Sequence, residues 1–368
     1  VGDPHGIGIV GLGAISAQYL ATLTDHPHLR VTAVADLNQA RAAEVAAEHG
    51  AAALDVDALV ADPKVDTVLN LTIPAAHADI ALRAIAAGKG VYGEKPLAAT
   101  FDDARRVAEA GAAAGVPIGC APDTVLGTGT QTARAAIDRG DIGSPTFATA
   151  TMITPGHERW HPNPDFYYTE GGGPLLDMGP YYVSSLVHLL GPVSAVTGAS
   201  SRSRDSRIIG SGPRAGEPVP VSIDTHVTGI LEHAGGALST LVMSFDGSAT
   251  SAPPIEVHGT AGSISVPDPN TFGGDVTLHD GTSEDILTPS AGYADAGRGI
   301  GLIDMALADH DRPARAGGDL ALHALEVMTA LIRSATTGRR LDITTTVDRP
   351  ALVPLTPRAT WHSPARAT

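Results

Sequence analysis

The stretch from residue 6 to residue 36, GIGIVGLGAISAQYLATLTDHPHLRVTAVAD, leaves this chain few folds to choose from. A short apolar run, Ile7 to Val10, enters Gly11-Leu12-Gly13-Ala14-Ile15-Ser16. A helix-like segment follows, and a second apolar run, Val31 to Ala35, ends in Asp36. Strand, glycine turn, helix, strand and acid, in that order, make a dinucleotide-binding βαβ unit. Gly11 permits the tight turn, and Gly13 lets the backbone approach a pyrophosphate. The N–H groups of Leu12, Ala14 and Ile15, where the helix starts, bind its charge. Ser16 stands where a third glycine is often found and is small enough to keep helix and strand close. Asp36 is placed to accept ribose hydroxyls. Its charge, followed by neutral Leu37 and Asn38 with no basic residue before Arg41, favours NAD over NADP. The plain alternatives are a structural glycine turn and, for Asp36, an N-cap of the next helix.

The alternation continues. Helices are expected at 38–49, 56–61, 75–87 and 102–114, and strands at 51–53, 65–71, 90–93 and 116–120. Strands alternating with helices predict an α/β, doubly wound parallel sheet covered on both faces, assigned to a first domain, 1–122. Ligands bind beyond the carboxyl ends of such strands. That places Thr72, Ile73, Pro74, Glu94 and Lys95 at the cofactor edge, with His77 in reach from the first turn of its helix or simply on the surface.

Composition narrows the function. Acidic residues outnumber basic ones 40 to 24, a formal charge of −16, so a nucleic-acid backbone is repelled. The apolar runs fall short of the ~20 residues of a membrane span. Cys120 is the single cysteine, which predicts a reducing compartment, and VGDPHGIGIV lacks the basic and apolar regions of a signal peptide, so a cytoplasmic location is expected.

Two further runs carry chemistry. In YGEKPLA a lysine directly follows a buried-looking strand, where turn residues are the rule. Lys95 there can donate a hydrogen bond to a substrate hydroxyl and hold the developing alkoxide; the bland reading is an ion pair with Glu94. In GGGPLLDMGPYY, Asp177 and Tyr181 stand at i and i+4, on one face if the segment opens a helix. Taken together, GIVGLGAIS, VADLN, NLTIPAAHADIALRAIAAGKGVYGEKPLA and GGGPLLDMGPYYVSSLVHLLG resemble the Gfo/Idh/MocA family over nearly the whole chain. That resemblance implies an NAD(P)-dependent oxidoreductase acting on sugars, cyclic polyols and their derivatives. It implies an N-terminal Rossmann domain and a C-terminal α/β domain with a large open mixed β-sheet, through which homodimers or homotetramers form. It also implies that Lys95 is the catalytic lysine and Asp177 the active-site aspartate. Tyr181 replaces the usual histidine of DxGxH, moving the intrinsic pKa from about 6.5 to about 10. The expected division of labour is Asp177 on substrate hydroxyls and Lys95 with Tyr181 on the proton; Tyr182 is the competing phenol.

On the substrate side, six of the fourteen aromatic residues fall between Trp160 and Tyr182. Sugars present apolar C–H faces ringed by hydroxyls, so Trp160, His161, Tyr167 and Tyr168 are candidate pocket residues, against a core cluster under a long loop. Asp123 and Thr124 lie where the resemblance has the chain crossing the active-site cleft, which makes Asp123 a candidate substrate-binding residue. His157-Glu158-Arg159-Trp160-His161 fits HExxH, but Pro155-Gly156 before it and Pro162 and Pro164 after it oppose the sustained helix a zinc site needs, so no metal is expected.

The second domain, 123–345, reads as a helix at 130–139 and strands at 145–153, 193–203, 220–232, 236–246, 254–258, 262–266 and 275–279. A hairpin turn is expected at 233–236 and helices at 298–310 and 318–336. His323 is read as a surface residue, 204–219 as a loop insertion, and 346–368 as an extended or disordered tail. The reading that results is oxidation of a secondary alcohol of a sugar, glycoside or cyclitol, or reduction of the matching ketone. Redox-neutral NAD-dependent glycoside cleavage and a non-catalytic NAD-bound regulator are the alternatives.

Overall fold

The structure, a computed structural model, describes residues 3–24, 26–307 and 313–362. It divides into two compact units. One comprises Val1–Thr128, Ala291–Leu322 and Pro350–Thr368, the other Gly129–Ser290 and His323–Arg349. A contiguous division at 122 and 345 therefore gives way to a discontinuous one, in which two late segments belong with the first.

In the first unit, β1 (His5–Val10), β2 (Leu29–Ala35), β3 (Ala52–Ala53), β4 (Thr67–Asn70), β5 (Gly90–Gly93) and β6 (Ile118–Cys120) form a parallel sheet in the order β3-β2-β1-β4-β5-β6. The crossovers are α1 (Ser16–Leu23), α2 (Gln39–His49), α3 (Val56–Ala61), α4 (Pro74–Ala86) and α5 (Phe101–Ala114). Helices on both faces explain the unbroken apolar runs: Ile7 and Ile9 of β1 and every residue of β4 are buried. Local chemistry fixes the helix starts. Asn38, Asp55 and Thr100 cap α2, α3 and α5 by accepting from Arg41, Ala58 and Asp103 N–H. The order reverses between β1 and β4, which opens a crevice at the carboxyl edge there.

The late segments close this unit. Cys120 N–H donates to Ala316 O at 3.0 Å and Tyr293 N–H to Leu126 O at 2.9 Å. Only Ile300–Ala306 is helical within the expected 298–310, and 308–312 lie outside the described residues. Of the two expectations for the tail, the extended one holds from 346 to 357; a short helix, Arg358–Trp361, follows, and the segment is packed as far as His362. Pro354 and Thr356 bridge Ala291 and Tyr293, and Trp361 is buried with its indole N–H on Ala294 O at 2.8 Å. A large aromatic side chain with an internal acceptor gives the segment its reason to pack.

The second unit is built on α6 (Thr128–Arg139), β7 (Pro145–Ile153), α7 (Pro174–Leu190) and β8 (Val193–Ser201). Next come β9 (Ser206–Ile208), β10 (Pro218–Pro220), β11 (His226–His233), β12 (Leu238–Ser244) and β13 (Ile255–Gly259). β14 (Ser263–Val266), β15 (Thr277–His279), β16 (Glu284–Ile286) and β17 (Leu341–Asp342) complete it. Nine strands make a mixed sheet, β16-β15-β14-β13-β7-β12-β11-β8-β17, in which only β7 and β12 pair in parallel. Its inner face buries Ala148, Ala150, Met152, Leu231, Leu241 and Met243. Leu331, on the helix Gly318–Thr337, lies directly over Gly198 and Gly229 of that sheet, where side chains would not fit. The other face leaves Phe147, Ile230 and Leu238 about half exposed. Among the described residues no helix is long and apolar enough to cross a membrane.

Two expectations are corrected here, and two strands have no expectation at all. The 204–219 insertion is a hairpin, β9 against β10, held by the buried Arg207. β16 and β17, short and polar, carry no alternation that would announce them. His323 is fully buried: its Nε2 accepts Val193 N–H at 3.0 Å, and Nδ1 meets Thr345 Oγ1 at 2.9 Å. Burial, opposed by Glu326, pulls its pKa down to about 4. The unfolded chain takes this proton near pH 6.5 and the folded chain only near 4, so stability is lost as pH falls through that window. Urea titrations of the wild type should lose on the order of 3 kcal/mol from this group alone across the window. A His323→Gln variant should lack that part of the slope.

Candidate functional site

β1 runs into Gly11, whose φ of +92° suits glycine and where a Cβ would press on the Leu71 backbone. A Cβ at Gly13 would meet nothing within 4 Å, so the outer side of the turn is open. Ser16 is fully buried, its hydroxyl on Gly13 O at 2.7 Å, as a close helix–strand packing demands. Asp36 does not cap α2; Asn38 does. Instead its Oδ2 accepts Leu12 N–H and its Oδ1 accepts Asn38 N–H, each at 2.7 Å. The carboxylate therefore ties the glycine turn to the end of β2. Leu37 and Ile73 stand exposed at the ends of β2 and β4, apolar surface of the kind an adenine covers. An open glycine cradle, a fixed acid and two exposed apolar side chains fit a dinucleotide.

Thr72 and Pro74 follow β4, with Thr72 fastened by N–H and hydroxyl to Asn70 Oδ1 at 3.2 and 2.6 Å. His77 is buried rather than exposed to a ligand. Its Nδ1 lies 2.7 Å from Pro96 O and its Nε2 3.0 Å from Thr72 O, so it links the turns after β4 and β5. Glu94 accepts the hydroxyl of the buried Tyr19 at 2.8 Å and the N–H of Lys95 at 3.1 Å, which fixes the turn that carries Lys95. Burial first, then the charge of Glu94, pushes the Tyr19 phenol well up, so it stays a donor. Asp123 is fully buried, accepting N–H of Gly299 and Gly301 at 2.7 and 3.1 Å. Burial, partly offset by Arg298, pushes its carboxyl up to about 6. Within this unit it closes the late segment onto β6.

In the second unit, Pro174 opens α7 after Gly173, and Asp177 lies in the first turn, where the helix dipole favours a carboxylate. Tyr181 and Tyr182 are both buried. The Tyr182 phenol is pushed up by burial and by Asp268. Asp177 Oδ2 meets His157 Nε2 at 3.0 Å, a contact the sequence reading missed. Around it, Tyr167 packs on His157 (centroids 4.7 Å apart) and His161 on Phe166 and Tyr167, while Trp160 is 58% exposed. Tyr168 departs from the pocket reading: it is fully buried, with its hydroxyl on Glu158. His157–Arg159 is one 3-10 turn, not a zinc-binding helix. Among the described residues no three His, Cys, Asp or Glu side chains are grouped to hold a metal ion.

This loop is anchored by Arg207 of β9. Its guanidinium pairs with Glu158 at 3.1 Å and with Asp246, and donates to Pro155 O at 3.0 Å and Phe245 O at 2.9 Å. Gly156, at φ +104°, passes so close that a Cβ would strike Glu158, Arg207 and Tyr168. Removing one partner of such a network strands buried charge at a cost of about 3–5 kcal/mol. Arg207→Met should lower the thermal midpoint by roughly 10 °C; a negligible change in a calorimetric scan would mean the loop is held by something else.

Residues 5–121 match the oxidoreductase family with an NAD-binding Rossmann fold known as Gfo/Idh/MocA, and residues 130–265 match the Gfo/Idh/MocA C-terminal domain. The chain is 28% identical over 348 residues to a 1,5-anhydro-D-fructose reductase of Ensifer adhaerens, covering 92% of this chain and 98% of that protein. Over 149 residues it is 37% identical to an inositol 2-dehydrogenase of Pseudomonas syringae pv. syringae (strain B728a), covering 38% of this chain and 43% of that one. The crystal structure of an NAD binding oxidoreductase from Klebsiella pneumoniae matches with a TM-score of 0.79 at 25% identity, over 93% of this chain and 99% of that one. Two family segments found in order, on a chain whose first sheet has the dinucleotide-binding strand order, lead to one conclusion: this protein belongs to the Gfo/Idh/MocA family of NAD-binding oxidoreductases.

Proposed function

We propose that the protein oxidises a secondary alcohol of a sugar, glycoside or cyclitol, or reduces the matching ketone, with NAD as its cofactor. The observation that carries this reading is the Glu94–Lys95 turn, fixed by Tyr19 at the carboxyl edge of a dinucleotide-binding sheet. The names of the relatives, an anhydrosugar reductase and an inositol dehydrogenase, support the substrate class. NAD, when bound, supplies the hydride acceptor. Lys95 holds the substrate oxygen as its proton leaves, and the Tyr181 phenol exchanges that proton. Asp177, one helical turn before Tyr181 on α7, orients neighbouring hydroxyls. Tyr182 is the weaker candidate, one position off that face and with its phenol pushed up by burial and then by Asp268. Asp36 supports NAD over NADP, because a 2′-phosphate beside its fixed carboxylate is repelled. A chain with Cys120 as its single cysteine suits a reducing, cytoplasmic setting; the thiol itself is buried and pushed well up by that burial.

The test is NADH formation on inositols, aldoses, glycosides and sugar acids, with NAD and NADP in parallel. Turnover with at least one compound, faster with NAD, is expected. Lys95→Ala and Tyr181→Phe should each reduce it by about 100-fold or more while NAD still binds. Unchanged turnover in either variant removes that residue from the mechanism.

We further infer that copies of this chain associate through the open face of the nine-stranded sheet. Leu238 and Phe147 are register partners there, and Ile230 is on the same face, all three about half exposed. Sedimentation should give a dimer or tetramer for the wild type and a smaller species for Leu238→Glu combined with Ile230→Glu. A monomeric wild type would refute the association.

A further inference from the structure

His157 has no role in the mechanism above, yet its surroundings are specific. It opens the 3-10 turn His157–Arg159, and the next residue, Glu158, is pinned by Arg207. Trp160 Nε1–H, which can only donate, lies 3.3 Å from His157 Nδ1. Nδ1 is therefore the acceptor, and the ring proton belongs on Nε2, which faces Asp177 Oδ2 at 3.0 Å. Tyr167 and Phe245 pack against the imidazole at centroid distances of 4.7 and 4.5 Å, which sets the plane of the ring. The side chains of His157 and Asp177 are 12% and 19% exposed, whereas Trp160 is 58% exposed. One hydrogen-bonded chain thus runs from a sheltered carboxylate to an indole at the surface.

Resting on the sugar oxidoreductase reading, we propose that His157 is a positioning residue for Asp177, and that Trp160, His157 and Asp177 act as one recognition unit for ring-form substrates, pyranosides and cyclitols, over open-chain polyols. A carboxylate held by a fixed N–H cannot rotate to suit any hydroxyl spacing, and an indole tied by its own N–H keeps one face presented. A pyranose or cyclitol ring offers both complements in a rigid frame: vicinal hydroxyls for the carboxylate and an axial C–H face for the indole. An open-chain polyol presents no such face. The histidine of the HExxH-like run serves substrate geometry, and the glutamate beside it serves the loop.

The experiment has two arms. Protein carrying 15N-labelled histidine is compared by NMR with His157→Phe, to identify the signal, and with Trp160→Phe. The Nε2-protonated neutral tautomer is expected for His157, with its Nδ1 resonance moving when the indole N–H is removed. The other tautomer, or no response to Trp160→Phe, overturns the chain. In steady-state assays His157→Phe should raise KM for a cyclitol or pyranoside by about tenfold, the worth of one lost charge-assisted hydrogen bond, with NAD affinity unchanged. His157→Asn, which keeps a donor towards Asp177, should recover part of that loss, and the ratio of cyclic to open-chain activity should fall in the Phe variant. Unchanged KM in His157→Phe overturns the positioning role. If the wild type turns over no cyclic compound, the substrate class fails together with the proposed function, and the tautomer alone decides whether the His157–Asp177 link stands.

Discussion

Parallel strands cannot be joined by hairpins, because each must begin again at the end where its predecessor began. Every connection in the six-stranded sheet is therefore a crossover, and the carboxyl ends of all its strands share one edge. Gly11 follows β1, Asp36 follows β2, the Thr72 turn follows β4, and Glu94 with Lys95 follows β5. Their convergence needs no side-chain interaction; it follows from strand direction and the right hand of the crossovers. What side chains add is fixity. Asp36 ties two of these turns together, His77 bridges two others, and Tyr19 holds Glu94.

Buried polar groups do comparable work elsewhere, several of them on irregular backbone. Arg207 supports the loop that carries His157, Asp123 holds the turn at 299–301, and Glu326 accepts N–H groups of Thr344 and Thr345. Such segments lack the ladder bonds of helix and sheet, and their polar groups must be satisfied once out of water. A buried charge with several acceptors or donors is one way to meet that need at a single point. The consequence is that the loops nearest the candidate chemistry are held by charges rather than by apolar packing alone.

The sequence makes the regular elements legible and the long-range anchors nearly invisible. α2, α3, α5, β5 and β7 fall within a residue or so of where caps, glycines and apolar period put them. The glycine turn, Asp36, Lys95 and the one-face placement of Asp177 and Tyr181 are local patterns and can be read directly. Arg207 cannot, because its carboxylate partners lie 49 and 39 positions away and its own neighbourhood reads as a polar loop. Tyr168 and His323 mislead for the same reason: an aromatic in a loop and a histidine on a helix carry no local mark of burial. The prolines around HExxH rightly oppose a zinc helix. Setting the motif aside also set aside His157, whose carboxylate partner lies 20 residues on.

The discontinuity of the first unit has a consequence for how the protein is made. Its sheet leaves the ribosome within the first 128 residues, but Gly299 and Gly301, which occupy Asp123, are encoded far downstream. About 160 residues of the other unit are translated in between, an interval on the order of ten seconds at ordinary rates of synthesis. Through that interval the carboxylate waits in water without its backbone donors, and β6 without the Ala316 carbonyl that its Cys120 N–H will find. Residues 350–362 arrive later still and belong to the same unit as the first sheet. A nonsense mutation downstream of residue 290 therefore injures the nucleotide-binding unit, most of which is encoded well upstream of it.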